Sequence, residues 1–450
     1  MNIMRISKLL NSGDKRNNML RNNILFSALL KAIGISCSLL IVPVTLNYLN
    51  NEIYGIWLTI SSILYWFAFF DIGIGNGLRN YLTQAISNND YSLARSYLST
   101  ALIMLTGIVM IIALLAAIPV SLADMNAIFN TMVMSGNDLR NVLIVAIAFT
   151  LALFVVKNIG YLFVAMQRYA VNDLLVVSGS VLALLIIYVL TKTTTGNLMY
   201  VVMAFTITPV AVFTIAAIPI FIKYPALRPN IKSIDKGLGR RIVGKGMGFF
   251  FIQITSCLII YGSSNLFITQ FCGPTSVTVY NIAYKYFNLL AIAYTIIISP
   301  MWNAYTDAYV KGDMGWIKKT FWRALKMWTI SVICGIIMLE ASGIFYRLWI
   351  KEAVIVPMSI SACVLIYISM FNLNNCVTYL LNGLNKIRVQ IYTSVAFTVI
   401  FLIAVTLVGK AHGVTGIVLC MSASYGLMSI IHLYQCRLLI DGKAKGIWNK

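Results

Sequence analysis

Acidic residues are scarce in this 450-residue chain, with 13 Asp and Glu against 34 Lys and Arg, and charged residues of both signs make up only 10%. A soluble globular chain runs nearer ~25% charged, so an ordinary water-facing surface is excluded. Histidine is rarer still: His412 and His432 are the only two. The eight cysteines include no CxxC pair. Cys37, Cys257, Cys334, Cys363 and Cys420 sit inside apolar runs, where cysteine reads as a small packing residue and not as a metal ligand or disulfide partner. Neither a metal nor a cofactor is expected. Ten-residue alternating strands are also missing, which removes the outer-membrane barrel.

What the chain does have is hydrophobic length. Sixty per cent of the residues are hydrophobic and the mean hydropathy is +0.86. The apolar runs are ~20 residues long, enough for a helix to cross ~30 Å of hydrocarbon. Lipid offers no hydrogen bonds to a backbone, so such runs must be helical. The expected fold is an all-α membrane protein of about twelve spans, at 24–46, 53–75, 98–122, 140–166, 174–191, 198–222, 246–269, 278–301, 327–346, 354–380, 391–409 and 416–436. The first run is too long for the core of a cleavable signal peptide and reads as a span.

The net charge of +21 resides in the links. Of the 34 basic residues, 26 fall in one set of alternate links and five in the opposite set. That is the distribution of cytoplasmic loops, not of a nucleic-acid surface. Both termini are therefore expected in the cytoplasm, with the bilayer as a partner and nucleic acid as none.

The richest link, 223–245, holds seven basic residues with Pro225 and Pro229. It divides the chain into a six-helix N-terminal bundle at 1–222 and a six-helix C-terminal bundle at 246–450. An even number of spans returns the chain to its starting side, so the two pseudo-symmetric bundles share one orientation. A shift of 223 positions places Asn80 on Asn303, Thr83 on Thr306, Ala85 on Ala308 and Asp90 on Asp313, with Arg95 on Lys318. Asp90 and Asp313 each follow a turn and are placed to cap a new helix, either along the membrane surface or extending a span.

Ionisable groups within spans need a reason, because each costs about 2.5–3.5 kcal/mol at mid-span on insertion scales. At 1.5 Å per residue, Lys31 and Lys285 lie about 10 Å and Lys157 about 14 Å from a span end. Snorkelling accounts for the shallower two as readily as function does; Lys157 is the hardest to excuse. Carboxylates at depth are fewer: Asp71 and Glu340, with Asp307 just after the eighth span. This balance describes a cationic, water-filled cavity suited to an anionic, phosphate-bearing cargo. The three lysines are the expected binding groups, and Asp71, Glu340 and Asp307 the expected coupling or gating groups. Asn158, Gln253, Asn265, Asn281 and Asn288 add neutral groups that suit sugar hydroxyls or glue helices together.

The stretch 70–80, FDIGIGNGLRN, with the turn from Asp90 to Arg95 and the pair Tyr54-Gly55, resembles the O-antigen (Wzx-type) polysaccharide flippases of the multidrug/oligosaccharidyl-lipid/polysaccharide (MOP) exporter superfamily. The resemblance implies a bacterial inner-membrane, non-enzymatic transporter of undecaprenyl-pyrophosphate-linked glycans, working near the polymerase machinery. It carries over Asp71, Gly73, Gly75, Asn76, Gly77, Arg79 and Asn80, of which Asn76, Arg79 and Asn80 join the expected substrate-binding set. Two rivals fit less well. A cation-coupled drug antiporter wants buried carboxylates, and the first and seventh spans contain none. A membrane glycan polymerase or glycosyltransferase wants paired carboxylates on an outer loop, where only the isolated Glu52, Asp124, Asp138 and Glu352 occur.

Overall fold

The computed structural model describes residues 15–67, 74–235, 237–239, 263–351 and 353–450. Among the described residues the regular structure is helical throughout. In the first half these are α1 (Lys15–Leu49), α2 (Asn51–Phe67), α3 (Ile74–Ser87), α4 (Tyr91–Leu122), α5 (Met125–Phe129), α6 (Gly136–Val156), α7 (Ile159–Ala165), α8 (Tyr169–Thr193) and α9 (Leu198–Lys223). In the second they are α10 (Ser264–Cys272), α11 (Pro274–Val310), α12 (Met314–Ile350), α13 (Met358–Gly383) and α14 (Arg388–Ile440). Nine helical segments among the described residues are long and apolar enough to cross a membrane. The last of them, α14, is 53 residues long and breaks at Gly413, where φ is +60°. The spans expected at 53–75 and 246–269 run into residues outside the described set. Pro43, Pro119, Pro209, Pro219 and Pro300 all lie inside helices.

Contacts sort the described residues into two compact units. The first draws on Met1–Asn50, Phe70–Met125 and Met134–Phe250, the second on Asn51–Phe69, Asn126–Val133 and Phe251–Lys450. Chain order alone would keep α2 with the N-terminal bundle, but its contacts lie in the second unit. The cause is local. A Cβ at Gly55 would run into the carbonyl of Pro274, so only glycine lets α2 come this close to α11. Thr59 Oγ1 and Thr269 Oγ1 then meet at 2.6 Å, tying α2 to α10.

The 223-residue shift extends well beyond the four identities. It carries Asn50 (φ 71°) onto Gly273 (φ 81°) and Asn89 (φ 58°) onto Gly312 (φ 73°), two pairs of left-handed residues that end helices. It also carries the start of α2 onto the start of α11, the end of α3 onto the end of α11, and the start of α4 onto the start of α12. The turns agree bond for bond: Asp90 N–H donates to the Ala85 carbonyl and Asp313 N–H to the Ala308 carbonyl, both at 2.9 Å. Each aspartate then accepts the N–H three residues on, Leu93 to Asp90 and Trp316 to Asp313, again at 2.9 Å. The capped helices are α4 and α12 themselves, 32 and 37 residues long, so the caps open spans and not surface helices. Burial keeps the same register. Leu82, Ala85, Ala94, Leu98 and Ala101 lie in the first unit's core; Tyr305, Ala308, Ile317, Phe321 and Ala324, each 223 positions later, lie in the second's.

The basic segment after α9 is folded, as far as residue 239, onto the first unit. Leu227 and Leu238 bury in its core. Ser99 Oγ and Thr100 Oγ1 of α4 accept the N–H groups of Asn230 and Asp235 at 3.0 Å each. Arg95 Nε donates to the Ala226 carbonyl at 2.6 Å.

Candidate functional site

Because α2 and α11 begin one repeat apart and pack in the same unit, they form a repeat-related pair, and transporter sites concentrate at such junctions. Between them and α10 lies a pocket of about 230 Å³. From α2 it takes Ser61, Ser62 and Tyr65. Ser61 lies ten residues after Asn51, ~15 Å along the helix, which is half the ~30 Å hydrocarbon thickness. Ser264 and Asn265 of α10 form the second wall, and Tyr280, Asn281 and Tyr284 of α11 the third. Every lining residue carries a hydroxyl or an amide, and none is charged.

Hydrogen bonds fix how these groups are turned. Ser61 Oγ donates to the Leu58 carbonyl at 2.9 Å, and Ser62 Oγ to the Thr59 carbonyl at 2.8 Å. Asn281 Nδ2 donates to the Val277 carbonyl at 2.9 Å and to Asn265 Oδ1 at 2.8 Å. Asn265 Nδ2 in turn donates to the Leu58 carbonyl at 3.1 Å. A backbone carbonyl can only accept, so both amide orientations are fixed by their partners. The sequence offered Asn265 and Asn281 either as helix glue or as sugar-facing groups. The structure brings the two together, and they do the first while lining the pocket. Asn288, another of that set, accepts from the Tyr284 hydroxyl at 3.3 Å. Ser61, Ser62, Tyr65, Ser264, Tyr280 and Tyr284 escaped sequence reasoning. One signal was available: the same 223-residue shift superposes Ser61 on Tyr284.

The charged residues expected at the site divide between the units. Lys31, Arg79 and Lys157 belong to the first, and Lys285, Asp307 and Glu340 to the second. Lys31 is exposed on α1, Arg79 on α3 and Glu340 on α12. Lys285 follows Tyr284 directly and is half-buried, one step round the helix from the pocket lining. Asp307 is exposed and pairs with Lys311 at 2.6 Å, one turn along α11. Lys157 occupies a break in the fourth span, between α6 and α7, with Nζ 4.7 Å from the centre of the Phe154 ring. Next to it the fully buried Asn158 donates Nδ2 to the Phe154 and Val155 carbonyls at 2.8 and 3.2 Å, supplying partners to a backbone that the break leaves open. Of the FDIGIGNGLRN stretch, Asp71 and Gly73 lie outside the described residues. Asn76, Gly77 and Asn80 belong to α3, but their side chains lie outside the described part. Gly75 is buried, and a Cβ there would run into the Tyr161 ring of α7, so this motif glycine sets a helix contact.

The model of the polysaccharide biosynthesis protein family matches residues 20–302. The chain belongs to that family. Among its relatives, a Yersinia pseudotuberculosis protein bearing the provisional name O-antigen export protein is 20% identical over 279 residues. That match covers 60% of this family member and 61% of the Yersinia protein. The fold is that of MOP-superfamily transporters. An inward-facing multidrug-resistance MATE transporter superposes with a TM-score of 0.77 at 12% identity, over 93% of this chain and 98% of its own. A MOP transporter from Pyrococcus furiosus, described by the reversed polarity of its binding pocket, gives 0.59 at 14% identity over 98% of each chain. At such identities the likeness establishes the fold alone. This polysaccharide-family chain is thus a multi-pass membrane protein with a MATE-like fold.

Proposed function

We propose that the protein is a flippase carrying an undecaprenyl-pyrophosphate-linked oligosaccharide, an O-antigen or related repeat unit, from the cytoplasmic to the periplasmic leaflet of a bacterial inner membrane. The two halves of the sequence, 1–222 and 246–450, joined by the basic segment 223–245, work by alternating access, with both termini in the cytoplasm. Lys31, Lys157 and Lys285 hold the pyrophosphate, assisted by Asn76, Arg79 and Asn80. Asp71, Glu340 and Asp307 serve coupling or gating, and the lipid tail stays in the bilayer. The product is handed to polymerase machinery on the outer side.

The observation that carries this reading is the pocket walled by hydroxyl and amide groups of α2, α10 and α11 in a member of a polysaccharide family. A hydrocarbon cargo calls for an apolar wall, whereas a glycan needs polar partners such as these. The rival drug antiporter wants a carboxylate at its site, and the pocket has none among its lining residues. The test is a deletion strain whose inverted membrane vesicles are probed with a membrane-impermeant lectin. Loss of the protein should leave the lipid-linked glycan stranded on the cytoplasmic leaflet, and re-expression should clear it. Unchanged sidedness would overturn the proposal, and drug sensitivity in a pump-deficient strain would favour the rival.

A further inference from the structure

The pocket's hydrogen bonds restrict its ligand more sharply than its residue types do. Ser61 and Ser62 each have a single hydroxyl hydrogen, and both are committed to backbone carbonyls of α2. Asn281 has two amide hydrogens, and both are committed, to Val277 and Asn265. What these three residues retain for a ligand is oxygen lone pairs. A wall that accepts but does not donate there suits a guest rich in O–H and N–H groups. Against these three residues a carboxylate or phosphate, which brings only acceptors of its own, finds no donor, and the lining offers it no compensating cation. The volume narrows the choice again. About 230 Å³ falls below the ~300–1,000 Å³ of sites that enclose drug-sized ligands, so one ring fits and a whole oligosaccharide does not. Finally, the rings of Tyr65, Tyr280 and Tyr284 border the same space. Tyr280 and Tyr284 stack on one another at 5.9 Å, and Tyr284 leans on Tyr367 at 6.4 Å, which holds these rings in place. Flat aromatic surfaces with a negative face attract the polarised C–H face of a sugar ring.

We infer that the pocket between α2, α10 and α11 seats one uncharged sugar ring of the transported glycan, stacked on tyrosine and read by the hydroxyl or amide hydrogens it gives to Ser61, Ser62 and Asn281. The inference rests on the flippase reading and adds to it a division of labour. Neutral ring recognition is confined to this pocket, whereas the pyrophosphate is held by cations elsewhere. A repeat unit whose seated ring is a uronic acid is then a poor cargo, independent of how well its lipid binds.

The test uses the full-length protein in nanodiscs and three probes: undecaprenyl pyrophosphate alone, the same lipid bearing one N-acetylhexosamine, and the same lipid bearing one hexuronic acid. The wild type should bind the neutral glycolipid about tenfold tighter than either other probe, a difference of ~1.4 kcal/mol. The double replacement Ser61→Ala and Ser62→Ala should bring the neutral glycolipid down to the level of the bare lipid and leave the bare lipid within about twofold. Ser61→Lys should reverse the order of the two sugars, a gain that misfolding cannot imitate. Equal binding of the two sugars by the wild type would overturn the inference, as would an equal loss for bare and glycosylated lipid in the double variant. Tighter binding of a probe bearing a cationic amino sugar would overturn it as well, since an ammonium also satisfies an acceptor wall. In each of those cases a bound lipid pyrophosphate leaves the flippase reading standing. Failure of the wild type to bind any of the probes ends both.

Discussion

A lysine at membrane depth is held there by what lies beside it, and Lys157 shows how. The fourth span does not run through it: α6 ends at Val156 and α7 begins at Ile159. Lys157 and Asn158 keep helical dihedrals, but the Asn158 N–H turns to the Val155 carbonyl, and the Asn158 side chain takes up the Phe154 carbonyl left behind. The Phe154 ring under the ammonium adds a cation–π contact worth about 0.5–2 kcal/mol, depending on desolvation. The ring contact helps to make a charge at this position tolerable. Lys157→Ala should abolish glycan export while membrane-protein levels stay normal, and Lys157→Arg should retain part of the activity. Immunoblotting alongside surface-glycan staining checks both; full export in the alanine variant would remove Lys157 from the path.

At the scale of helices, the repeat is the organising fact. Asp90 and Asp313 do one job at equivalent places, each closing a turn after a left-handed residue and capping the helix that follows. Loss of such a cap costs about 1 kcal/mol. Asp90→Ala and Asp313→Ala should lower the thermal unfolding midpoint in detergent by similar amounts, and the double variant should show the sum, because the two turns share no residue. Strongly unequal effects would mean that the two halves are not built alike at this joint. This part of the molecule was readable in advance, since a cap and its turn depend on residues within a few positions and an aspartate after Asn-Asn or Lys-Gly is a local signal. The apolar runs were legible as helices for a similar reason, but not their lengths, since α11 and α12 reach 37 residues each. The pocket was not. Ser61, Asn265 and Tyr284 come from three distant stretches, and serine or tyrosine inside a span is ordinary helix composition until packing places it. The departure of α2 from its chain neighbours was hidden likewise, because Gly55 reveals its purpose only when the Pro274 carbonyl is seen against it. Lysine depth could be estimated from spacing, but which unit each lysine serves depends on long-range contacts.

For the whole molecule the decisive quantity is the charge that crosses. The lipid pyrophosphate is an anion of about two charges, and each charge moving through a potential of 100 mV is worth about 2.3 kcal/mol. Outward movement from a negative interior therefore gains ~4–5 kcal/mol, enough to bias the leaflets more than a thousandfold at 1.4 kcal/mol per factor of ten. On this arithmetic no antiported ion is needed to drive export. A protein built for such transfer should be poor in acid along the path and rich in base; deep in the expected spans this sequence has Lys31, Lys157 and Lys285 against Asp71 and Glu340. In the proposed flippase the embedded cations would offset the cost of moving the anion through low dielectric, and the neutral glycan would be left to the uncharged pocket. In proteoliposomes carrying lipid-linked glycan, a potassium-diffusion potential should accelerate flipping toward the positive side and slow it when the sign is reversed. Flipping should be lost or strongly slowed under either sign of the potential when Lys157 is replaced by alanine, because a path without that cation presents a higher barrier in both directions. A rate indifferent to the sign of the potential would rule out electrophoretic drive and make Asp71, Glu340 and Asp307 the first places to seek a coupled proton or sodium ion.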